Sequence, residues 1–305
     1  MSDTPYAAVT ATVAGGQLVG GSWNPDAPGL PVLALHGITA NHLSWQLVAS
    51  ALPETRVIAP DLRGRGRSGE LPGPFTLNDL ADDLAGMLDA LGVERAVVAG
   101  HSMGAFVAVR FAERHPERVD RLVLVDGGLP IPWPRDIPPE QVTEAALGPA
   151  LERLRRTFAS AEVYEQFWRQ HPAIGPWWND TFAAYVAYDL VGEAPTLRSS
   201  VSEEAVSVNS VELYGDRGYA EALAGLGLPI AFIRAPRGLL DGPPLYQPTV
   251  VAEWKDRLPG MSVHEADDVN HYTILMTDHG VRQVLPLLDP PAVEPPASDP
   301  KETPA

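Results

Sequence analysis

The fold is decided by the stretch Arg95-Ala-Val-Val-Ala-Gly100-His101-Ser102-Met103-Gly104-Ala-Phe-Val107. An apolar run ends there in Gly-x-Ser-x-Gly, and a helix-compatible segment (105–113) follows at once. This order is typical of a serine on a sharp turn between a strand and a helix, where its hydroxyl projects into a cleft. Gly100 and Gly104 stand where a side chain would collide with so tight a turn. Ser102 is therefore a candidate nucleophile, and we expect a strained backbone there.

A second apolar strand, at residues 31–35, runs into His36 and a glycine. A serine that attacks a carbonyl needs two hydrogen-bond donors aimed at the oxygen that becomes negative. We expect these donors to be the backbone amides of Met103, directly after the serine, and of Ile38, in the loop after the earlier strand. His36, at a strand end with no proton to transfer, is expected to brace the loop.

The combination of motifs resembles the α/β-hydrolase superfamily, and the resemblance extends over residues 6–288. The residues that carry it are His36-Gly37, Asp61-Leu-Arg-Gly64-Arg-Gly66-Arg-Ser68, the turn at 100–104, Leu122-Val-Leu-Val-Asp126-Gly and Asn270-His271. The resemblance implies a serine nucleophile and a helical cap, but it says little about the substrate, because many chemistries share this fold.

The serine needs a base, and the base needs a carboxylate to fix its tautomer. His271 follows a predicted last strand (260–266) and precedes a predicted helix (272–288), where open parallel sheets place functional groups. The other histidines after the serine lie within predicted helices, in that strand or in an aromatic segment: His115, His171, His264 and His279. His271 is therefore the predicted base.

Two aspartates compete for the role of the acid. Asp241 is the first carboxylate after the predicted penultimate strand (229–234), and we favour it, although its distance from that strand exceeds the usual family spacing. Asp126, at the end of the preceding strand (121–125), is the alternative, since some family members use that position. The other possible role of Asp126 is structural, in which its carboxylate only accepts hydrogen bonds from loop amides.

Strands and helices alternate along most of the chain, which predicts an α/β fold with a mostly parallel sheet between helices. We assign residues 1–128 and 216–288 to this hydrolase core, beginning with a hairpin (6–13 and 17–23). Residues 129–215 open with prolines, become helical and aromatic, and are assigned to a cap; a predicted long helix there spans 142–158. A few cap aromatics are expected to line an apolar pocket. Residues 289–305 are proline-rich and predicted to be disordered.

Composition narrows the possible functions. The chain has 305 residues, no cysteine and a formal net charge of −17. We expect no disulfide, no metal, no cofactor and no binding to nucleic acid. We also expect no membrane association, since no apolar stretch approaches twenty residues and no signal peptide is recognisable. The expected location is the cytoplasm; the oligomeric state is left open. Arginines in the glycine-rich stretch 64–67 are expected to form salt bridges or face solvent.

The expected function is that of a serine hydrolase that cleaves a carboxylic ester, lactone or thioester of an apolar small molecule through an acyl-enzyme. The alternatives are a carbon–carbon bond hydrolase or a perhydrolase with the same catalytic residues, or a low-turnover ligand receptor. Serine at position 102 argues against haloalkane dehalogenase or epoxide hydrolase activity, because resembling members that perform these reactions carry a carboxylate there.

Overall fold

A computed structural model describes residues 4–132, 137–214 and 218–288. An eight-stranded sheet runs through it in the order β1-β2-β4-β3-β5-β6-β9-β10. Its strands are β1 Tyr6–Val13, β2 Gly16–Trp23, β3 Val32–Leu35, β4 Val57–Pro60, β5 Ala96–His101, β6 Val119–Val125, β9 Ile230–Arg234 and β10 Ser262–Glu265. Strand β2 is antiparallel to β1 and to β4, and the remaining pairs are parallel. The predicted α/β class and the opening hairpin are confirmed.

Helices cover both faces of the sheet. They are α1 Gln46–Ser50, α2 Leu77–Ala90, α3 Met103–Arg114, α8 Tyr219–Gly225, α9 Pro248–Arg257, α10 Thr273–Met276 and α11 Asp278–Leu288. Strands β3 and β4 are apolar throughout because each is buried on two sides. In β3, for example, Leu33 and Leu35 belong to one hydrophobic cluster, while Val32 and Ala34 belong to the other. This alternation follows from the two-residue period of a strand.

Four further helices lie between β6 and β9 in the sequence: α4 Pro139–Leu154, α5 Ala161–Arg169, α6 Asp180–Asp189 and α7 Glu203–Glu212. The predicted helix 142–158 is too long, since α4 ends at Leu154 and is kinked at Leu147, ahead of Pro149. A proline inside a helix removes one hydrogen bond and crowds the preceding turn. Phe158 instead pairs with Leu197 beside a two-stranded ribbon, β7 Leu190–Val191 and β8 Arg198–Ser199. Strands of two residues are too short for their alternating pattern to be recognised in the sequence.

The predicted terminal helix 272–288 is divided in two at Thr277. The backbone of Thr277 is extended (φ −134°, ψ 151°), and its hydroxyl oxygen accepts a hydrogen bond from Gly280 N at 3.2 Å. Threonine favours such a capping position over a helix interior, because its side chain bonds nearby backbone groups.

Some predictions fall on residues outside the described ranges. They are the tail 289–305, the cap aromatic Trp133 and the boundary between cap and core at 215–216. Within the described ranges, no helix has the length and apolar character required to cross a bilayer.

Candidate active site

Ser102 stands alone between the end of β5 and the first residue of α3, with φ 55° and ψ −124°. A side chain at Gly100 would overlap the backbone of the next helix, and one at Gly104 would overlap the carbonyl of Leu35. These glycines allow the strained turn predicted from the sequence. The Ser102 hydroxyl lines a pocket and forms no hydrogen bond with any residue in the described ranges.

The structure brings His271 together with Asp126. His271 Nδ1 donates a hydrogen bond to Asp126 Oδ2 at 2.7 Å, and both side chains are buried. Asp126 Oδ1 accepts a second hydrogen bond, from Ala235 N at 3.1 Å. Because the proton lies on Nδ1, the other ring nitrogen of His271 is free to accept one. His271 and Ser102 line the same pocket.

The structure places Asp241, the favoured acid, away from His271. Asp241 Oδ1 accepts hydrogen bonds from Arg237 Nε and from Asn270 Nδ2, each at 2.9 Å, and it does not reach His271. Its side chain is about one-third exposed. The long segment after β9 carries Asp241 outward, whereas Asp126 follows β6 directly and stays beside the serine turn, where Ser102 N donates to Val125 O.

Two neighbours fix the loop that carries His271, and sequence reasoning did not single out either of them. Asn270 Oδ1 accepts hydrogen bonds from the amides of Tyr272 and Thr273, and so holds the turn that precedes α10. His101 Nε2 donates to the carbonyl oxygen of His271 at 2.8 Å. Burial, followed by the nearby His271 ring, holds the pKa of His101 well below its usual value, so His101 acts as a neutral donor. The only sequence signal for these roles was adjacency to the catalytic candidates.

The two predicted oxyanion donors remain available. Neither Ile38 N nor Met103 N donates a hydrogen bond to any residue that the structure describes. His36 braces the neighbouring loop as expected, since its Nδ1 donates to Gly37 O at 2.8 Å and its Nε2 accepts from Leu62 N at 2.9 Å. Burial lowers the pKa of His36 to about 4, which keeps it neutral.

The pocket at Ser102 is mostly apolar and contains no carboxylate side chain. It is lined by Gly37, Ile38, Thr39, Ala40, Ser44, His101, Ser102, Leu147, Ala150, Tyr185, Leu239, His271, Tyr272, Leu275 and Met276. A second pocket shares five of these residues and is also lined by Phe167, Trp168, His171 and Arg153, from the segment predicted to be a cap. The two pockets therefore adjoin each other, and together we call them the channel.

The cap aromatics divide into two groups. Tyr185, Phe167 and Trp168 line the channel, while Phe158, Tyr164 and Phe182 are buried in the packing of the cap. Trp177 is exposed. Three of the described rings therefore line the channel, while the others named here pack within the segment between β6 and β9 or are exposed.

The arginines of the glycine-rich loop behave in three different ways. Arg63 forms a bidentate ion pair with Asp83, and Arg67 lies exposed over the ring of Tyr188. Arg65 is fully buried and has no ion-pair partner within the described ranges, so the expectation that these arginines pair or face solvent is wrong for Arg65. The described residues include no group of three or more metal-ligating side chains.

Comparisons with known proteins agree with this architecture. A sequence model of the alpha/beta hydrolase fold family matches residues 31–190. Two curated relatives come from Mycobacterium tuberculosis: lipase LipV is 40% identical over 104 residues, and epoxide hydrolase B is 39% identical over 113 residues. These matches cover 34% and 36% of this chain, and 39% and 31% of the respective relatives. The first curated relatives matched are likewise covered over only 30% of their length.

Among solved structures, E-2-(acetamidomethylene)succinate hydrolase superimposes with a TM-score of 0.74 at 20% identity, covering 93% of this chain and 99% of that one. At this identity the likeness concerns the fold alone. The match of the family model over more than half of the chain, together with the serine turn and the strand order, shows that the chain belongs to the alpha/beta hydrolase fold family.

Proposed function

We propose that the chain is a serine hydrolase that cleaves a carboxylic ester, lactone or thioester of a mainly apolar small molecule. The observation that carries the proposal is one pocket that is lined by Ser102, on a strained turn, and by His271, whose Nδ1 is hydrogen-bonded to the buried Asp126. A nucleophile, a base and an orienting acid are the groups that acyl transfer through an acyl-enzyme requires.

In the proposed mechanism, His271 takes the proton from Ser102 as the hydroxyl oxygen attacks the carbonyl carbon. Asp126 holds the proton on Nδ1 of His271 and stabilises the imidazolium that forms. The hydroxyl has no hydrogen bond in the described structure, so its contact with His271 forms when substrate binds, as is common in free enzymes. His271 then protonates the leaving group, and water repeats the cycle to release the acid.

The amides of Ile38 and Met103 are the proposed oxyanion hole. Both belong to residues at the carboxyl ends of neighbouring strands, β3 and β5, and both lack an acceptor among the described residues. A buried amide without a partner is rare and costly. An oxygen that becomes negative between these two amides would satisfy both of them in the transition state, which is where binding accelerates a reaction.

The channel favours an apolar acyl or alkyl group. Aliphatic and aromatic side chains form most of its wall, and no carboxylate lines it. A serine at position 102 does not provide the carboxylate nucleophile expected of an epoxide hydrolase, so the proposed function does not include epoxide hydrolysis. A carbon–carbon bond hydrolase or a perhydrolase would use the same residues.

Hydrolysis of p-nitrophenyl acetate, butyrate and octanoate tests the proposal. We expect turnover in the wild type and a loss of ~10⁴ to 10⁶ in kcat for Ser102→Ala. Thermal melting of both proteins controls for folding. A wild type that is stabilised by such ligands but does not turn them over would support the low-turnover receptor instead.

A further inference from the structure

Arg65 is a buried cation whose partners are all uncharged. It lies in the loop after β4 and is 0% exposed. Its guanidinium donates hydrogen bonds to Ile38 O at 3.0 Å, to Arg63 O at 2.9 Å and to Asn209 Oδ1 at 2.8 Å. Among the described residues, no carboxylate comes within ion-pair distance of it. Arg63, two residues earlier, shows the usual arrangement, with both oxygens of Asp83 on its guanidinium.

A buried charge without a counter-charge is unfavourable, and proteins seldom keep one. Burial lowers the pKa of Arg65 to about 9, so that the guanidinium is still protonated at neutral pH. The acceptors that the guanidinium contacts directly are uncharged; the carboxylate of Glu212 lies one hydrogen bond further away, where its Oε2 accepts from Asn209 Nδ2 at 3.4 Å, so no described carboxylate pairs directly with the positive charge of Arg65. This charge is therefore available to a negative group that forms nearby.

Arg65 contacts both residues of the proposed oxyanion hole. Its Nε donates to the carbonyl of Ile38, and one terminal nitrogen lies 3.6 Å from the sulfur of Met103. The amides of these two residues are the proposed donors to the oxyanion. The same guanidinium therefore contacts the loop that carries one donor amide, at Ile38, and the side chain of the residue that carries the other, Met103.

The cap holds Arg65 in turn. Asn209, on α7, donates through Nδ2 to Phe75 O at 2.6 Å, which turns its oxygen toward Arg65. The residue before α7, Ser202, donates from its amide to Gly64 O at 2.8 Å. Helix α7 is thus joined to the arginine loop at two places, and Asn209 is completely buried.

We propose that Arg65 is a positioning residue for the oxyanion hole: it fixes the Ile38 loop, and its buried charge, which no described carboxylate contacts directly, stabilises the negative tetrahedral intermediate, while Asn209 ties this function to the cap. The inference rests on the proposed function. A fixed positive charge in a dry site acts more strongly on a developing oxyanion than it would in water.

The first test compares Arg65→Met, Arg65→Lys and a matched control, Arg67→Met, which makes the same change at an exposed position of the same loop. Because the effect falls on the transition state, we expect Arg65→Met to lower kcat by ~10²- to 10³-fold with KM little changed. Arg65→Lys, which keeps the charge, should retain more activity than Arg65→Met. Arg67→Met should stay near the wild-type rate.

The second test adds a counter-charge at Asn209. Asn209→Asp places a carboxylate beside Arg65, so we expect kcat to fall about tenfold or more, as when one oxyanion donor is lost. The inhibition constant of phenylboronic acid, which forms a tetrahedral anion on serine, should rise by the same factor. Melting temperatures normalise each rate to folded protein.

The outcomes separate the two proposals. If the wild type hydrolyses p-nitrophenyl esters but all Arg65 and Asn209 variants keep kcat per folded molecule within about threefold, Arg65 is merely structural and this inference fails alone. A rise in melting temperature with unchanged kcat in Asn209→Asp would also overturn it. A wild type without turnover would overturn the proposed function and this inference with it.

Discussion

Asp126 and Asp241 are chemically identical but differ in what they contact. Asp126 is fully buried and accepts hydrogen bonds from His271 and a backbone amide. Asp241 is about one-third exposed and accepts hydrogen bonds from Arg237 and from the buried Asn270. An orienting acid must hold the proton on the far side of the imidazole, and only a carboxylate at bonding distance can do this.

We predict that Asp126→Asn lowers kcat by ~10⁴ while the protein remains folded, since an amide nitrogen facing His271 Nδ1 favours the wrong tautomer. The amide oxygen can still accept from Ala235 N. Asp241→Asn is the matched control: it removes a partly exposed ion pair worth about 0–1 kcal/mol, and turnover should stay within about tenfold. Turnover and thermal melting of both variants check this, and the opposite pattern would return the role to Asp241.

The sequence identifies candidate site residues that adjoin a recognisable turn. It does not identify residues that only the fold brings together. Ser102, Ile38 and Met103 follow from strand ends and glycines. The choice of Asp126 depends on β6 lying between β5 and β9, which no spacing reveals. Arg65 could not be found because an arginine in a glycine-rich loop is normally solvated, whereas here its guanidinium contacts residues that are distant in the sequence, Ile38, Met103 and Asn209.

The cap elements are held together by a buried polar hub at Arg153. Its guanidinium donates to Asp189 on α6, Tyr164 on α5 and Ser199 on β8. A further, longer contact at 3.4 Å reaches the carbonyl of Thr39 in the core. Helical periodicity predicted these helices, but it could not predict what joins them, because the hub residues share no pattern.

We predict that Asp189→Ala destabilises the protein by ~3–5 kcal/mol, since it leaves Arg153 buried and unpaired. Glu165→Ala removes the exposed pair with Arg169 on α5 and should cost less than about 0.5 kcal/mol. Urea denaturation of both variants measures the difference. Equal and small losses would show that the hub does not stabilise the cap.

The cap also shapes the channel. Phe167 lines its inner part, whereas Trp177 is exposed in the same segment. We predict that Phe167→Ala changes the ratio of kcat/KM for octanoate and acetate esters by up to ~100-fold, because lost apolar contacts are worth ~1–3 kcal/mol. Trp177→Ala should leave this ratio unchanged. A ratio that stays constant in both variants would mean that Phe167 only packs the cap.

For the whole molecule, the order of the strands determines where the chemistry lies. Strands β3, β5 and β6 are neighbours, and their carboxyl ends carry Ile38, Ser102 and Asp126 to one edge of the sheet. Alternating strands and helices predicted this parallel arrangement correctly, because both faces of each central strand are buried. The hairpin at the start of the chain was also predicted from the sequence, as were helices in the segment that lies between β6 and β9. The ends of α4 and the break at Thr277 depended on local kinks and caps.

We propose that this edge of the sheet carries one activated nucleophile, Ser102. Reaction of the full chain with a fluorophosphonate, followed by mass spectrometry of the intact protein and of its peptides, tests it most directly. We expect a single adduct on Ser102 and none in Ser102→Ala, which should melt as the wild type does. An adduct on another serine, or labelling that persists in Ser102→Ala, would contradict the account.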